Sequence, residues 1–143
     1  MTPGSTAAVH ACAVAWAGRG ILLLGDPDSG KSTLVAQLLA AGAYLVADDL
    51  VRLVGRAGVL HAEASGPTGL IELRGSGIFR IATTHGVRVS LCVELTPSAG
   101  HERLPELTTS RLAGIEIPAV RVEGHDRLVV GQILLALCAR RVH

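Results

Sequence analysis

The stretch Gly25-Asp26-Pro27-Asp28-Ser29-Gly30-Lys31-Ser32 limits more than any other what this chain can fold into. It has the spacing G-x-x-x-x-G-K-S, it follows the apolar run 20–24, and it opens the segment 32–41. In that segment Leu34, Val35, Leu38 and Leu39 form a helical stripe, and Gly42 is placed to stop it. A strand, this loop and a helix in succession are the context in which the motif cradles phosphate. Consecutive main-chain N–H groups converge on phosphate oxygens, and the helix N-terminus adds partial positive charge. Lys31 is placed for the β- and γ-phosphates of a nucleotide, and the Ser32 hydroxyl for Mg²⁺. Lys31 is also the sole lysine among 13 basic residues. A chain that otherwise uses arginine keeps a compact ammonium where the loop needs a point charge. Asp26 and Asp28 bring negative charge to the loop, so their side chains are expected to face outward or toward a metal. Asp28 can take the left-handed conformation that glycine would otherwise supply.

The rest of the chain reads as an α/β fold of one domain spanning residues 1–143. The 143 residues are 49% hydrophobic but only 2% aromatic, so the core is built of Leu, Val, Ile and Ala. No aromatic platform for stacking bases is available. A net charge of +1 without a basic run leaves little for binding nucleic acid through phosphate neutralisation. No apolar run approaches the roughly 20 residues of a membrane span. The apolar residues 7–17 lack a preceding basic segment, which argues against a signal peptide. Cys12, Cys92 and Cys138 form no metal or disulfide pattern and fit the reducing cytoplasm. The apolar excess, a mean hydropathy of +0.46, predicts surface buried between subunits.

Residues 9–16 and 20–24 predict one β-hairpin, and residues 51–54 and 59–62 a second around Gly55-Arg56-Ala57-Gly58. Tyr44–Ala47, Leu70–Leu73, residues 87–95 and Ile115–Val122 read as strands. Pro118 places the last near an edge or a bulge. Gly75 and Gly77 predict unusual backbone after residue 73. A C-terminal helix follows Asp126, its candidate cap, with Arg140 and Arg141 at its negative end.

The strand Tyr44–Ala47 ends at Asp48-Asp49. If it completes a right-handed βαβ unit, the two carboxylates return to the edge that carries the phosphate loop. Neighbouring side chains of extended chain point oppositely, so the two should have different tasks. Asp48 is assigned as the base that takes a proton from an acceptor hydroxyl, and Asp49 as a metal ligand or its support; the reverse order stays open.

These elements resemble the HPr kinase/phosphorylase family, in the short form without its N-terminal domain. The resemblance rests on His10, the loop GDPDSGKS, LVADD ending at Asp49, and GLIELRGSGI from Gly69 to Ile78. ERLP from Glu102 and GIEIP ending at Pro118 extend it over nearly the whole chain. It implies a P-loop core around a mixed sheet, akin to phosphoenolpyruvate carboxykinase, and a hexameric assembly. It also implies an ATP- and Mg²⁺-dependent kinase for a serine of the phosphocarrier protein HPr, with the reverse phosphorolysis by inorganic phosphate. By the same resemblance His10 lies beside the acid/base aspartate and Glu72 helps hold the metal. Arg74, Gly75 and Gly77 shape the site, and Arg103 handles phosphate. His61, His85, His101, His125 and His143 show no ligand spacing and read as structural or exposed. The chain departs from the family at Asp28, where glycine is usual, at Arg80, in the short stretch 81–86, and in its short C-terminal helix. Two other readings stand beside this one: a kinase of the same fold with a different acceptor, and a nucleotide-binding regulatory module without transfer activity.

Overall fold

A computed structural model describes residues 4–26, 29–66, 69–73, 75–96, 108–125 and 128–138. Its elements are β1 (Ser5–His10), β2 (Cys12–Trp16), β3 (Arg19–Leu24), α1 (Lys31–Ala40), β4 (Tyr44–Ala47) and β5 (Leu50–Arg56). They continue with β6 (Val59–Ala64), β7 (Leu70–Leu73), β8 (Gly77–Arg80), β9 (Gly86–Leu95), β10 (Thr108–Leu112), β11 (Ile115–Val122) and α2 (Val129–Cys138). Nine strands form one mixed sheet in the order β1-β5-β6-β9-β3-β2-β4, with β11 also on β9 and β10 on β11. β7 and β8 make a separate hairpin. The α/β class with a mixed sheet is thus as expected.

β9 joins the two parts of the sheet. It pairs antiparallel with β6 over residues 86–88, then parallel with β3 and, toward its end, with β11. Alternation along the strands divides the apolar side chains between two cores. Cys12, Val14, Ile21, Leu23, Leu91 and Val93 pack with Leu34, Val35 and Leu38 of α1 and with Val129 and Ile133 of α2. Ala13, Ala15, Leu22, Val89 and Cys92 pack instead with Val51, Leu53, Leu60 and Ala62. The central strands are therefore covered on both faces, by helices on one side and by β5 and β6 on the other. That double burial is why they read as near-continuous apolar runs.

The structure departs from the sequence reading in one strand. The run 9–16 is not a single strand: Val9 and His10 end β1, on β5, whereas Cys12 begins β2, on β3 and β4. Hydropathy does not register the crossing, because half-buried Val9 at the end of β1 and buried Ala11 at the crossing are as apolar as the buried β2 that follows. At the crossing the Ala11 N–H donates to the Asp49 carbonyl at 3.2 Å.

The turns are tighter than expected. Ala17-Gly18, Ala57-Gly58 and Ala113-Gly114 each have positive φ at both positions: 51° and 77°, 54° and 77°, 47° and 79°. This is the signature of two-residue type I′ turns, whose twist matches that of the flanking strands. Gly55 and Arg56, expected in the second turn, continue β5. A Cβ on Gly55 would collide with the Ala113 carbonyl oxygen and Ile115, so this strand glycine permits a close approach of β11's hairpin. Pro118 faces Thr109 on β10, and pairing with β9 begins only at Ala119. It thus sits just before the second ladder, as a residue without an N–H requires.

β4 does not lie next to β3. β2 is antiparallel to both and separates them, so β3 and β4 run parallel with one strand between. The return of the chain to the same edge survives this insertion. Arg19 Nη1 donates to the Leu137 carbonyl at 2.8 Å and so serves the negative end of α2. The candidate cap Asp126 and the candidate partners Arg140 and Arg141 lie outside the described residues.

Gly20 tests this packing. A Cβ there would stand 2.6 Å from the Arg88 carbonyl oxygen and 2.7 Å from Val87 Cγ1, where the β3–β9 register shifts. Gly20→Ala is expected to lower unfolding free energy by about 1–3 kcal/mol, read as a lower urea midpoint at unchanged m-value.

Candidate functional site

β3 and β4 both end at one edge of the sheet, which brings Gly25 and Asp48 there. β9 and β11 are parallel to β3 and end at the same edge, delivering Thr96 and Glu123–His125. β2 starts there, with Cys12 opposite Leu23 and Ala13 opposite Ala47. One edge therefore collects the segments that the sequence singled out.

The loop after β3 closes on itself. The Ser29 N–H donates to the Asp26 carbonyl at 3.1 Å, and Lys31 Nζ donates to the Gly25 carbonyl at 2.6 Å. Gly30 occupies the N-cap of α1 at φ 98°, with no side-chain cap bond among the described residues. The first N–H groups of α1 are thus left to a ligand rather than to a cap. A left-handed N-cap suits glycine alone, and neighbouring residues enforce the shape further. A Cβ on Gly25 would stand 2.5 Å from Ser29 Oγ, and one on Gly30 would stand 3.1 Å from the Gly124 carbonyl oxygen. Ser29 Oγ is itself buried without a hydrogen-bond partner among the described residues. Helix-terminal amides, an ammonium and an unused buried hydroxyl form a donor set that fits phosphate oxygens. Ser32 is exposed on the first turn of α1; Pro27 and Asp28 lie outside the described residues.

Asp48 and Asp49 do not sit in extended chain, so strand alternation does not set their directions. β4 stops at Ala47, and the Leu50 N–H donates back to the Asp48 carbonyl at 3.0 Å across Asp49, whose φ is 75°. That is the hydrogen bond of a γ-turn, in a region of φ that few residues other than glycine, Asn and Asp tolerate. Asp48 Oδ1 accepts a hydrogen bond from Cys12 Sγ at 3.2 Å. The Cys12 thiol is pushed up to about 12 from an ordinary 9.0, chiefly by burial and further by the Asp48 charge. A hydrogen bond from the Asp49 main chain and the charge of Lys31 oppose that rise. Lys31, Cys12 and the aspartate turn are therefore close enough to act on one another.

His10 is exposed at the end of β1, directly opposite Leu50, and so stands beside the aspartate turn. A cavity of about 280 Å³ opens next to it, lined by Ala47, Asp48, Leu50, Ala64, Ser65, Gly66 and Leu70. Ile71 is buried in the helix-side core and anchors β7, while Leu70 and Glu72 share the opposite, exposed face. Glu72 is thus on the face that borders the cavity. Gly75 and Gly77 turn the β7–β8 hairpin at φ 82° and 125°, as their spacing predicted. Arg74 and Arg103 lie outside the described residues. Among the described residues no three of His, Cys, Asp and Glu converge as a ready metal cage. A hard cation such as Mg²⁺ needs only one or two carboxylates besides phosphate and water. Ser32, Asp49 and Glu72 are donors of that kind.

Two contributors escaped the sequence reading. Cys12 looked like one more apolar strand residue. Gly124 packs so closely on the Ser29 carbonyl that a Cβ there would collide with it, and His125 Cε1 would stand 3.3 Å from a Cβ on Gly30. Nothing local marks the turn after β11 as a wall of the loop after β3, about a hundred residues away.

The sequence model of the family described as "HPr Serine kinase C-terminal domain" matches residues 4–132. The chain belongs to this family. Similar curated members of the HPr kinase family include the HPr kinase/phosphorylase of Burkholderia lata, 35% identical over 130 residues. That alignment covers 82% of this chain and 40% of the relative. The HPr kinase/phosphorylase of Burkholderia cenocepacia is 36% identical over 119 residues, covering 74% of this chain and 37% of the relative. The chain thus spans about 40% of the length of these relatives. The solved HPr(Ser) kinase/phosphatase of Coxiella burnetii shares the HPr kinase fold with a TM-score of 0.74 and 24% identity. It is matched over 92% of this chain and 87% of its own.

The cysteines give a direct check on the site's packing. Cys12 and Cys92 are buried, with thiols raised to about 12 and about 11 by burial, whereas Cys138 is exposed. At pH 8 an aromatic disulfide reagent is expected to titrate one thiol in the native protein and three in guanidinium. The same shifts favour the protonated, folded form. Their contribution to stability is whole below the ordinary value of 9.0 and is lost as pH rises toward about 11–12.

Proposed function

We propose that this chain is an ATP-dependent phosphotransferase whose acceptor is a seryl hydroxyl of an HPr-like phosphocarrier protein, and that it also runs the reverse phosphorolysis. The reading is carried by one observation: the loop bearing Lys31 and the turn bearing Asp48 leave the sheet at the same edge, across β2.

The loop amides, the N-terminus of α1 and Lys31 bind the β- and γ-phosphates and hold the terminal phosphoryl group against the edge. Lys31 exchanges its bond to the Gly25 carbonyl for phosphate oxygens. Ser32, Asp49 and Glu72 would hold Mg²⁺, which supplies neutralisation of charge on the transferred group when bound. The acceptor hydroxyl enters by the cavity next to Asp48. Asp48 takes its proton as the seryl oxygen bonds to the γ-phosphorus, and the bond from that phosphorus to the β–γ bridging oxygen breaks to release ADP. His10, beside the aspartate turn, supports the proton transfer. In the reverse direction Asp48 would return the proton to the seryl oxygen while inorganic phosphate takes the phosphoryl group as pyrophosphate. The printed names of the Burkholderia and Coxiella relatives support the acceptor and the reverse activity.

The test is mass spectrometry of HPr incubated with the protein, ATP and Mg²⁺, where a gain of one phosphoryl group on serine is expected. Asp48→Asn should keep nucleotide affinity and lower turnover by about 10²–10⁴-fold. Lys31→Ala should weaken nucleotide binding in a fluorescent-nucleotide titration. Full transfer by Asp48→Asn removes the base assignment, and an unmodified HPr beside tight ATP binding removes the acceptor.

A further inference from the structure

Cys12 is the exception within its own core. Every other buried member of the helix-side cluster is Leu, Ile, Val or Ala. Cys12 lies next to the end of β4, because Ala13, its neighbour in β2, is paired with Ala47, and Asp48 follows. Its sulfur stands 3.2 Å from Asp48 Oδ1. The backbone of the same segment is tied twice more: the Ala11 N–H donates to the Asp49 carbonyl, and the Leu50 N–H closes the γ-turn on the Asp48 carbonyl. The main chain on both sides of Asp48 is therefore fixed, which leaves the side-chain torsions as its remaining freedom. A buried cysteine is ordinarily a small hydrophobe, but a thiol beside a carboxylate is a donor. An aspartate with one oxygen engaged presents the other in a defined direction.

We propose that Cys12 is a positioning residue, whose thiol donates to Asp48 Oδ1 and turns Oδ2 toward the acceptor hydroxyl. This rests on the reading of Asp48 as the proton acceptor. Cys12 touches neither nucleotide nor acceptor, so it acts on turnover and leaves nucleotide affinity alone. A carboxylate free to rotate spends part of its time outside reach of the hydroxyl, and misplacement on that scale lowers rates by about 10–100-fold.

Two measurements test it. The first needs no acceptor: in infrared difference spectra of the full chain against Cys12→Val, the Cys12 S–H stretch should lie below that of a free thiol and rise in Asp48→Ala. A band at the free-thiol position, or one that Asp48→Ala does not move, overturns the proposal. The second compares Cys12→Ala and Cys12→Val, which lack a donor, with Cys12→Ser and Cys12→Thr, which restore one. The first pair should lose about 10–100-fold in kcat at unchanged KM for ATP, and the second pair should recover most of it whatever their melting temperatures. Val fills the site as Cys does, so it reports on the donor even where Ala fails to fold. Parent-like kcat in Cys12→Val beside an inactive Asp48→Asn overturns this inference alone. Parent-like kcat in Asp48→Asn overturns the base assignment and the inference with it. Losses in all four variants that follow their melting temperatures assign Cys12 to packing and also overturn it.

Discussion

The antiparallel ladder of β2 with β3 on one side and β4 on the other is the constraint on which the site depends. Neither β3 nor β4 carries the site alone, and they do not touch as neighbours. Their shared partner makes them parallel and sets the register that puts Leu23 and Ala47 beside the first residues of β2. From there the Lys31 loop and the Asp48 turn emerge side by side without any interaction between them being required. The backbone hydrogen bonds of a ladder buried on both faces are shielded from water, so this spacing is among the stiffest available in the molecule.

Double burial has a chemical consequence at the edge. The helix-side core reaches the end of β4 without a polar lining, so any group placed there is desolvated on its inner side. Cys12 responds by holding its proton. Asp48 itself is exposed, and its Oδ1 accepts the hydrogen bond from the Cys12 thiol. The γ-turn at Asp49 permits this. It ends the strand abruptly and lifts the carboxylate out of the core, at a cost in backbone strain of the order of 1–3 kcal/mol. Strain of that kind is stored where function needs a particular direction.

What was legible in the sequence was whatever the chain states locally. The spacing Gly25 to Ser32, the stripe Leu34-Val35-Leu38 and the terminal acids of LVADD each declare themselves within a dozen residues. The glycines at 75 and 77 did so as well. What stayed hidden was non-local. No periodicity says that β2 intervenes between β3 and β4, since an inserted antiparallel strand leaves the crossover's apolar pattern unchanged. Gly124 looked like a loop glycine because its reason, the Ser29 carbonyl against its α-carbon, comes from the other end of the chain. The division of residues 9–16 at Ala11 failed for a related cause: the crossing is made by a buried alanine, without the Gly, Pro or Asn by which strand ends are usually read.

The three two-residue turns carry alanine where asparagine or glycine is the natural occupant of positive φ. Left-handed alanine is uphill by roughly 1 kcal/mol, so these hairpins are bent by the sheet that encloses them rather than seeded by their tips. Instruction for the architecture resides in long-range partnership, above all between β3 and β9, which the chain must bring together across the intervening helix and hairpins. The corners of this sheet thus take their shape from the strands they join.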